Sequence, residues 1–337
     1  METHLEACTV PTVTIGQVEV PRLIMGIHPF DGYGYIGAEK DAFNAGHFSH
    51  FDRIVQVISW VASQGVTAVQ TDHTAEHLNR QHLVAVHKAS QQTGISLATI
   101  PFLYVPVTLD GQLLDHRRVY ATLDRSAFER EGEAYREYLR ADPIVQYMGA
   151  GQGAVGEDFL VSHEEVEPFS ADEFGRMAVD YERFNQYLGF FAGVDPFIAD
   201  AGCEVDFLAA GGRFDLMEEY IAFLRRHYPA VITSIHHPGV TIPLLDEQDV
   251  SFDGYMTPVN KLGVFMLPTP DSALTAIRAS RKPIISIKPM GGGRLLDREA
   301  FDYVLNDVGV AATLFGLGTI DEVTYTVSEA RQALGLD

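Results

Sequence analysis

Short apolar runs alternate along this chain with longer stretches whose apolar residues recur at helical spacing. The opening element reads as a hairpin, residues 9–15 and 18–20 around a turn at Gly16-Gln17. Strand-like runs follow at 23–27, 67–71, 96–100, 231–235, 252–256, 283–287 and 310–315, with 205–209 as an eighth. Helices are expected between them. Ser49 opens one as Ser-x-x-Asp, with Phe51, Ile54, Val55, Ile58 and Val61 on one face. Ser170-Ala-Asp-Glu173 is a capping box leading into a helix that buries Phe174, Met177, Ala178, Tyr181, Phe184 and Leu188. Asp215 begins another, with Met217, Ile221 and Leu224 inward, and Pro270 stands at a first helical position after Thr269. The last starts with a second capping box, Thr319-x-x-Glu322, and buries Val323, Val327, Ala330 and Leu334.

Strands alternating with helices imply parallel βαβ units. Eight such units make a (β/α)8 TIM barrel the first choice for residues 1–337 as a single domain, with the 9–20 hairpin across its bottom. A doubly wound sheet is the alternative, but its glycine-rich first turn is absent. Residues 105–168 are too long for one connection and read as an insertion after the third strand, part helical around 127–139, in the place of a lid.

Charge removes several partner classes. Against 46 acidic residues there are 24 basic ones, a net charge of −22, which disfavours nucleic acid and anionic membrane surfaces. Cys8 and Cys203 are too few for a disulfide scaffold and lack metal-type spacing. Met1-Glu2-Thr3-His4-Leu5-Glu6 has neither the basic nor the apolar region of a secretory signal, and no apolar run has the length of a membrane span. The expectation is an acidic, cytoplasmic protein acting on a small molecule, and a homo-oligomer is compatible with the sequence.

In a barrel of this kind chemistry lies at the carboxyl ends of the strands. Strand alternation divides the side chains into two faces. Ile24, Gly26 and His28 share one parity; so do Ala68, Gln70 and Asp72, then Ile232, Ser234 and His236, and Ile284, Ser286 and Lys288. The smaller, more polar parity is expected to face the barrel interior, which gathers His28, Asp72, His236 and Lys288 at one mouth. A bland role exists for each. A histidine at a strand end is often a hydrogen-bonded structural residue, Asp72 suits a cap for a helix beginning near Thr74, and His237 reads as a loop residue. Lys288 is one of only five lysines and follows Ile284-Ile285-Ser286-Ile287, and its bland role is an ion pair with Asp72. A cluster of ionisable groups in a cleft favours the functional reading.

Two glycine loops add a second signal. Lys288-Pro-Met-Gly-Gly-Gly-Arg294 follows the seventh strand and Phe315-Gly-Leu-Gly-Thr319 the eighth. Barrels often bind phosphate there, so Gly291, Gly292, Gly293, Arg294, Gly316, Gly318 and Thr319 are candidate anion or cofactor contacts. Tight turns entering helices also use glycine.

At these residues the chain resembles the aldo-keto reductase superfamily. The segments 13–16 and 20–26 are similar to that family's bottom hairpin and first strand, and Thr71-Asp72-His73-Thr74-Ala75 to its Asp-Thr-Ala motif with His73 inserted. The segments 283–293 and 316–323 are similar to its last two strands and cofactor loops. The resemblance implies a barrel, a nicotinamide cofactor, NAD(P), and a site of aspartate, tyrosine, lysine and histidine. Asp72 stands for the aspartate. The tyrosine position falls near His77, the third strand carries no lysine, and the predicted fourth strand no histidine.

Non-redox acid–base chemistry of lyase, isomerase or hydrolase type on a polar anionic metabolite is therefore the leading expectation. In it Lys288 acts as base, Schiff-base amine or electrostatic clamp, with Asp72 and His236 moving protons and His28 beside them. A divalent metal held among His28, Asp31, His73, His236 and His237 is a variant. The alternatives are a divergent NAD(P)-dependent reductase and a non-catalytic ligand-binding barrel.

Overall fold

Short strands with two apolar faces need cover on both sides, and this chain provides it by closing them into a ring. A computed structural model describes residues 10–73, 76–150, 160–194, 197–202 and 204–336, the side chains of residues 76 and 77 excepted. Cys8, Cys203, Thr74, the amino-terminal hexapeptide and the side chain of His77 thus lie outside the described residues. In chain order the early strands are β1 Thr12–Ile15, β2 Val18–Pro21, β3 Leu23–Gly26, β4 Ala68–Asp72, β5 Ala98–Leu103, β6 Val107–Leu109 and β7 Gln112–Leu113. The later ones are β8 Met177–Val179, β9 Ala199–Ala201, β10 Val231–Ser234, β11 Gly254–Pro258, β12 Ile284–Ile287 and β13 Ala312–Gly316.

β3, β4, β5 and β9 to β13 pair in parallel as a closed barrel of eight strands, the expected TIM-barrel fold. The antiparallel β1–β2 hairpin plugs its amino-terminal end: Ile15 and Val20 pack with Ile24, Ala68, Ile100, Ile232, Met256, Ile285 and Leu314 inside the ring. The opposite parity, including Leu23, Met25, Val69, Tyr255, Ile284 and Phe315, packs against the helices. The helix Ile320–Ala333 carries the expected capping box at Thr319, and Pro270–Ala279 is capped by Thr269 with proline in its first turn.

Four expectations need correction. The fourth barrel strand is β9, not residues 205–209, which lie in the helix Glu204–Ala210; that helix is buried through Val205–Ala209, Asp206 included, so a short mostly apolar run there shows no amphipathic helical period. Ser170 does form its capping box, but the helix stops at Arg176, because Met177–Val179 pairs with β6 as β8 before a second helix, Tyr181–Phe190. Ser49 does not open a helix: its hydroxyl bonds the Gly46 carbonyl at the end of Ala38–Phe48, and Phe51–Ser63 starts without a side-chain cap. In β12 it is Ile285 and Ile287 that face inward, while Ile284 packs outward and the Ser286 hydroxyl donates to Thr313 at 2.7 Å.

The insertion between β5 and β9 runs past residue 168 to the helix Tyr181–Phe190. Helices His116–Glu131, Glu133–Ala141 and Pro143–Gly149 form its centre. Their side chains Tyr135, Leu139, Ile144 and Val145 pack on Val264, Phe265 and Leu267 of the loop after β11, so the insertion sits over the carboxyl-end mouth. Asp142 fixes this contact by accepting from the Phe265 N–H at 2.6 Å while capping Pro143–Gly149.

Candidate functional site

At that mouth lies a cavity of about 1360 Å³. His28, Asp72, His236 and Lys288 all line it, as does every member of the wider set Asp31, His73 and His237. Lys288 arrives by a different route from the one alternation predicts. β12 ends at Ile287, and Lys288 takes a left-handed backbone, φ 54°, which breaks the strand's parity and redirects the side chain. Tyr35 (φ 56°) and Phe265 (φ 57°) share this conformation, and Lys288 packs against both: its Nζ lies 4.8 Å from the Tyr35 ring centroid and 5.2 Å from that of Phe265. Such a backbone costs a non-glycine residue roughly 1–3 kcal/mol and persists where surrounding structure imposes it.

Two histidines flank this cation. The His28 ring meets Tyr35 edge-on at 6.2 Å, and the His236 ring meets Phe265 at 5.3 Å. Burial, reinforced by the Lys288 charge, pushes the pKa of each down to about 3. Both are therefore neutral at pH 7, donors or acceptors of hydrogen bonds and not cations. Acids behave in the opposite sense. Burial raises Asp31 to about 7, helped by the charge of Asp72, and raises Glu204, on the same wall, to about 7 as well.

Beneath the floor, Asp200 of β9 faces the barrel interior and accepts from Gln70 Nε2 at 2.8 Å and from the Ser234 hydroxyl at 2.7 Å. Burial pushes this carboxyl up to about 7 too. Asp206 differs. Although burial alone would raise it, hydrogen bonds from the His237 side, Thr241 and nearby backbone hold it below the usual carboxylate range. Asp200, Glu204, Asp206, Tyr35 and Phe265 were not singled out from the sequence. Only the run Ala199-Asp200-Ala201-Gly202, with an acid between small residues, carried a readable signal.

The metal candidates do not converge. His73 Nε2 accepts the Tyr104 N–H at 3.2 Å and its ring stacks on Tyr187 at 4.3 Å; His237 stands 3.9 Å from Asp206; Asp31 lies beside His82. Among the described residues no three His, Cys, Asp or Glu side chains group as a metal site, so the residues present do not fit a divalent ion.

The glycine loops divide in the same way. Gly292, Gly293, Gly316 and Gly318 line the cavity, while Gly291, Arg294 and Thr319 stand behind that wall. Arg294 is not available to an anion: its guanidinium donates to the carbonyls of Tyr35 at 2.8 Å, Gly291 at 3.1 Å and Gly292 at 3.4 Å. The amino terminus of Ile320–Ala333 is likewise filled, with Glu322 accepting the Thr319 N–H at 2.8 Å and Lys40 bonded to the same carboxylate. Asp321 and Glu322 put negative charge on this side of the cavity. A dinucleotide's volume is accommodated here, but its phosphates meet acids where they need donors. The residues do not fit NAD(P) in the way the resemblance implies.

Compared with solved structures, the whole chain aligns with a Pseudomonas aeruginosa protein assigned provisionally to the aldo-keto reductases, at 15% identity and TM-score 0.52 over 98% of this chain and 99% of that one. A second structure from the same organism, similarly assigned, aligns at 14% identity and TM-score 0.52 over 97% and 98%. No protein-family model and no curated protein matches the sequence. The fold is thus an aldo-keto-reductase-like β/α barrel, at an identity that speaks for architecture alone. Among the described residues no helix is long and apolar enough to cross a membrane.

Proposed function

We propose that this barrel is an enzyme of acid–base, non-redox chemistry on a small carbonyl compound, with Lys288 as its electrostatic centre. The observation that carries the reading is the meeting of three left-handed non-glycine residues, Tyr35, Phe265 and Lys288, which hold one ammonium between two ring faces and two neutral imidazoles. Ring faces suit the ammonium form, which favours a clamp over a Schiff-base amine. In this role Lys288 stabilises the oxyanion that develops when a proton leaves the carbon next to a carbonyl. His236 and His28, being neutral, donate or accept hydrogen bonds at the same oxygen, much as a neutral imidazole polarises a carbonyl in other barrels. Asp72, at the end of β4, takes the proton and returns it to the same or a neighbouring carbon. This balances as an isomerisation, or as a lyase step if a leaving group departs instead.

The reductase reading rests on the likeness of fold and on the glycines in the cavity wall; the acids at Asp321 and Glu322 weigh against it. One set of assays separates them. Pyruvate, dihydroxyacetone and glyceraldehyde incubated with the protein in D2O should exchange carbon-bound protons faster than in buffer for at least one compound, and Lys288→Met should remove that exchange. Exchange at the buffer rate for all of them, with NADPH or NADH consumed in their presence, would replace the proposal with the reductase.

A further inference from the structure

One corner of the cavity holds two buried oxygen acceptors without hydrogen-bond partners. Asp31 closes the short helix His28–Asp31 that follows β3, and its side chain is only 7% exposed, yet its Oδ1 has no hydrogen-bond partner. His82 Nε2 stands 3.7 Å from that oxygen, beyond hydrogen-bond distance. His82 Nδ1 stands 3.1 Å from Asn79 Oδ1, and with the amide in this orientation the ring proton sits on Nδ1 and Nε2 keeps a lone pair. Burial also pushes His82 down to about 4, so it brings no charge. In that arrangement the ionised Asp31 faces a second acceptor. A third stands close by: Asn44, 1% exposed, donates its amide to the Tyr33 carbonyl at 3.2 Å, and its Oδ1 is buried without a partner. Asp31, Asn44, Asp72 and the Tyr33 ring all line the same cavity. Buried polar groups without partners are rare and mark either cost or an absent ligand.

We propose that this corner, Asp31 with Asn44 and Asp72, is a subsite for an ammonium or guanidinium group of the substrate. A cation with several N–H donors satisfies Asp31 Oδ1 and Asn44 Oδ1 at once, and the charge of Asp72 close to Asp31 attracts it further. The proposal rests on the carbonyl reading above and narrows it to carbonyl compounds that also carry a cationic nitrogen; it departs from an anionic substrate. Binding a cation should also draw Asp31 down from about 7, against the groups that face it, Asp72, His28, Tyr33 and His82.

The test is calorimetric titration of the full chain at pH 7 with benzylammonium chloride, benzyl alcohol and magnesium chloride. Benzylammonium is expected to bind at least tenfold more tightly than benzyl alcohol. Asp31→Asn should erase that preference, and Asn44→Ala should reduce it threefold or more. Equal affinity for the cation and the alcohol would overturn the proposal. So would stronger binding of magnesium than of benzylammonium, or an Asp31→Asn protein that melts well below the parent, since either would give the carboxylate another partner. The preference should survive in Lys288→Met, which keeps the two readings separable. A protein that exchanges carbon-bound protons but shows no amine preference loses this proposal alone.

Discussion

The glycine-loop anchors and the ionisable groups at the mouth of the cavity contrast in how their polar atoms are satisfied. On the wall of the glycine loops every conspicuous group has a partner within the fold: Arg294 holds three carbonyls, and Thr319 and Glu322 close a capping box. Among the ionisable groups at the mouth, by contrast, His28 Nδ1 and Asp31 Oδ1 are buried without hydrogen-bond partners, the Lys288 ammonium lies against two aromatic rings, and two histidines are kept neutral by burial. Both sets contain residues that suggest function in sequence. Saturation distinguishes them: a group whose bonding is complete contributes to stability, whereas one held in a costly state is available to a substrate.

The sharpest break in that contrast is Lys288→Met. It should lower the exchange rate by about a hundredfold or more, on the order of 3 kcal/mol of barrier, with the melting temperature little changed. A large loss of stability with normal exchange would move Lys288 to the structural side. Arg294→Ala should do the reverse. Stripping donors from three carbonyls is expected to cost roughly 1–3 kcal/mol in urea unfolding while leaving affinity for the exchanged carbonyl compound intact. Weakened affinity without lost stability would restore Arg294 as an anion contact. Thr319→Ala should cost about 1 kcal/mol by removing one cap, again without touching exchange.

The smallest effect at neutral pH is His236→Asn, which sharpens the comparison on acidification. The unfolded histidine takes a proton below about 6.5, whereas the folded one resists until about 3. Between those values the unfolded state binds more protons, so the wild type loses stability as pH falls. Any stability gap between wild type and variant at pH 7 should therefore narrow steadily below pH 6.5. A gap constant down to pH 4, measured by urea unfolding, would mean that the ring is already charged. Lys288, Asp206, His237 and His28 act on the same group, so in the Lys288→Met background the narrowing should begin at the same pH but end at a higher one and be smaller.

What the sequence determined by itself is the repeat of short strands and capped helices, and with it the barrel, the bottom plug and the gathering of His28, Asp72, His236 and Lys288 at one end. Those features are local: an apolar run, a Ser or Thr three residues before a Glu, a proline in a first turn each act over a few residues. Tertiary structure decided the rest. It chose Ala199–Ala201 as the fourth strand, since three residues gain their stability from neighbours and not from pattern. It turned Lys288 inward through a left-handed backbone that alternation does not foresee, and it brought Tyr35 and Phe265, 230 residues apart in sequence, onto the same ammonium. It also committed Arg294 to the Tyr35, Gly291 and Gly292 carbonyls, because whether a guanidinium is free depends on which acceptors the fold delivers to it.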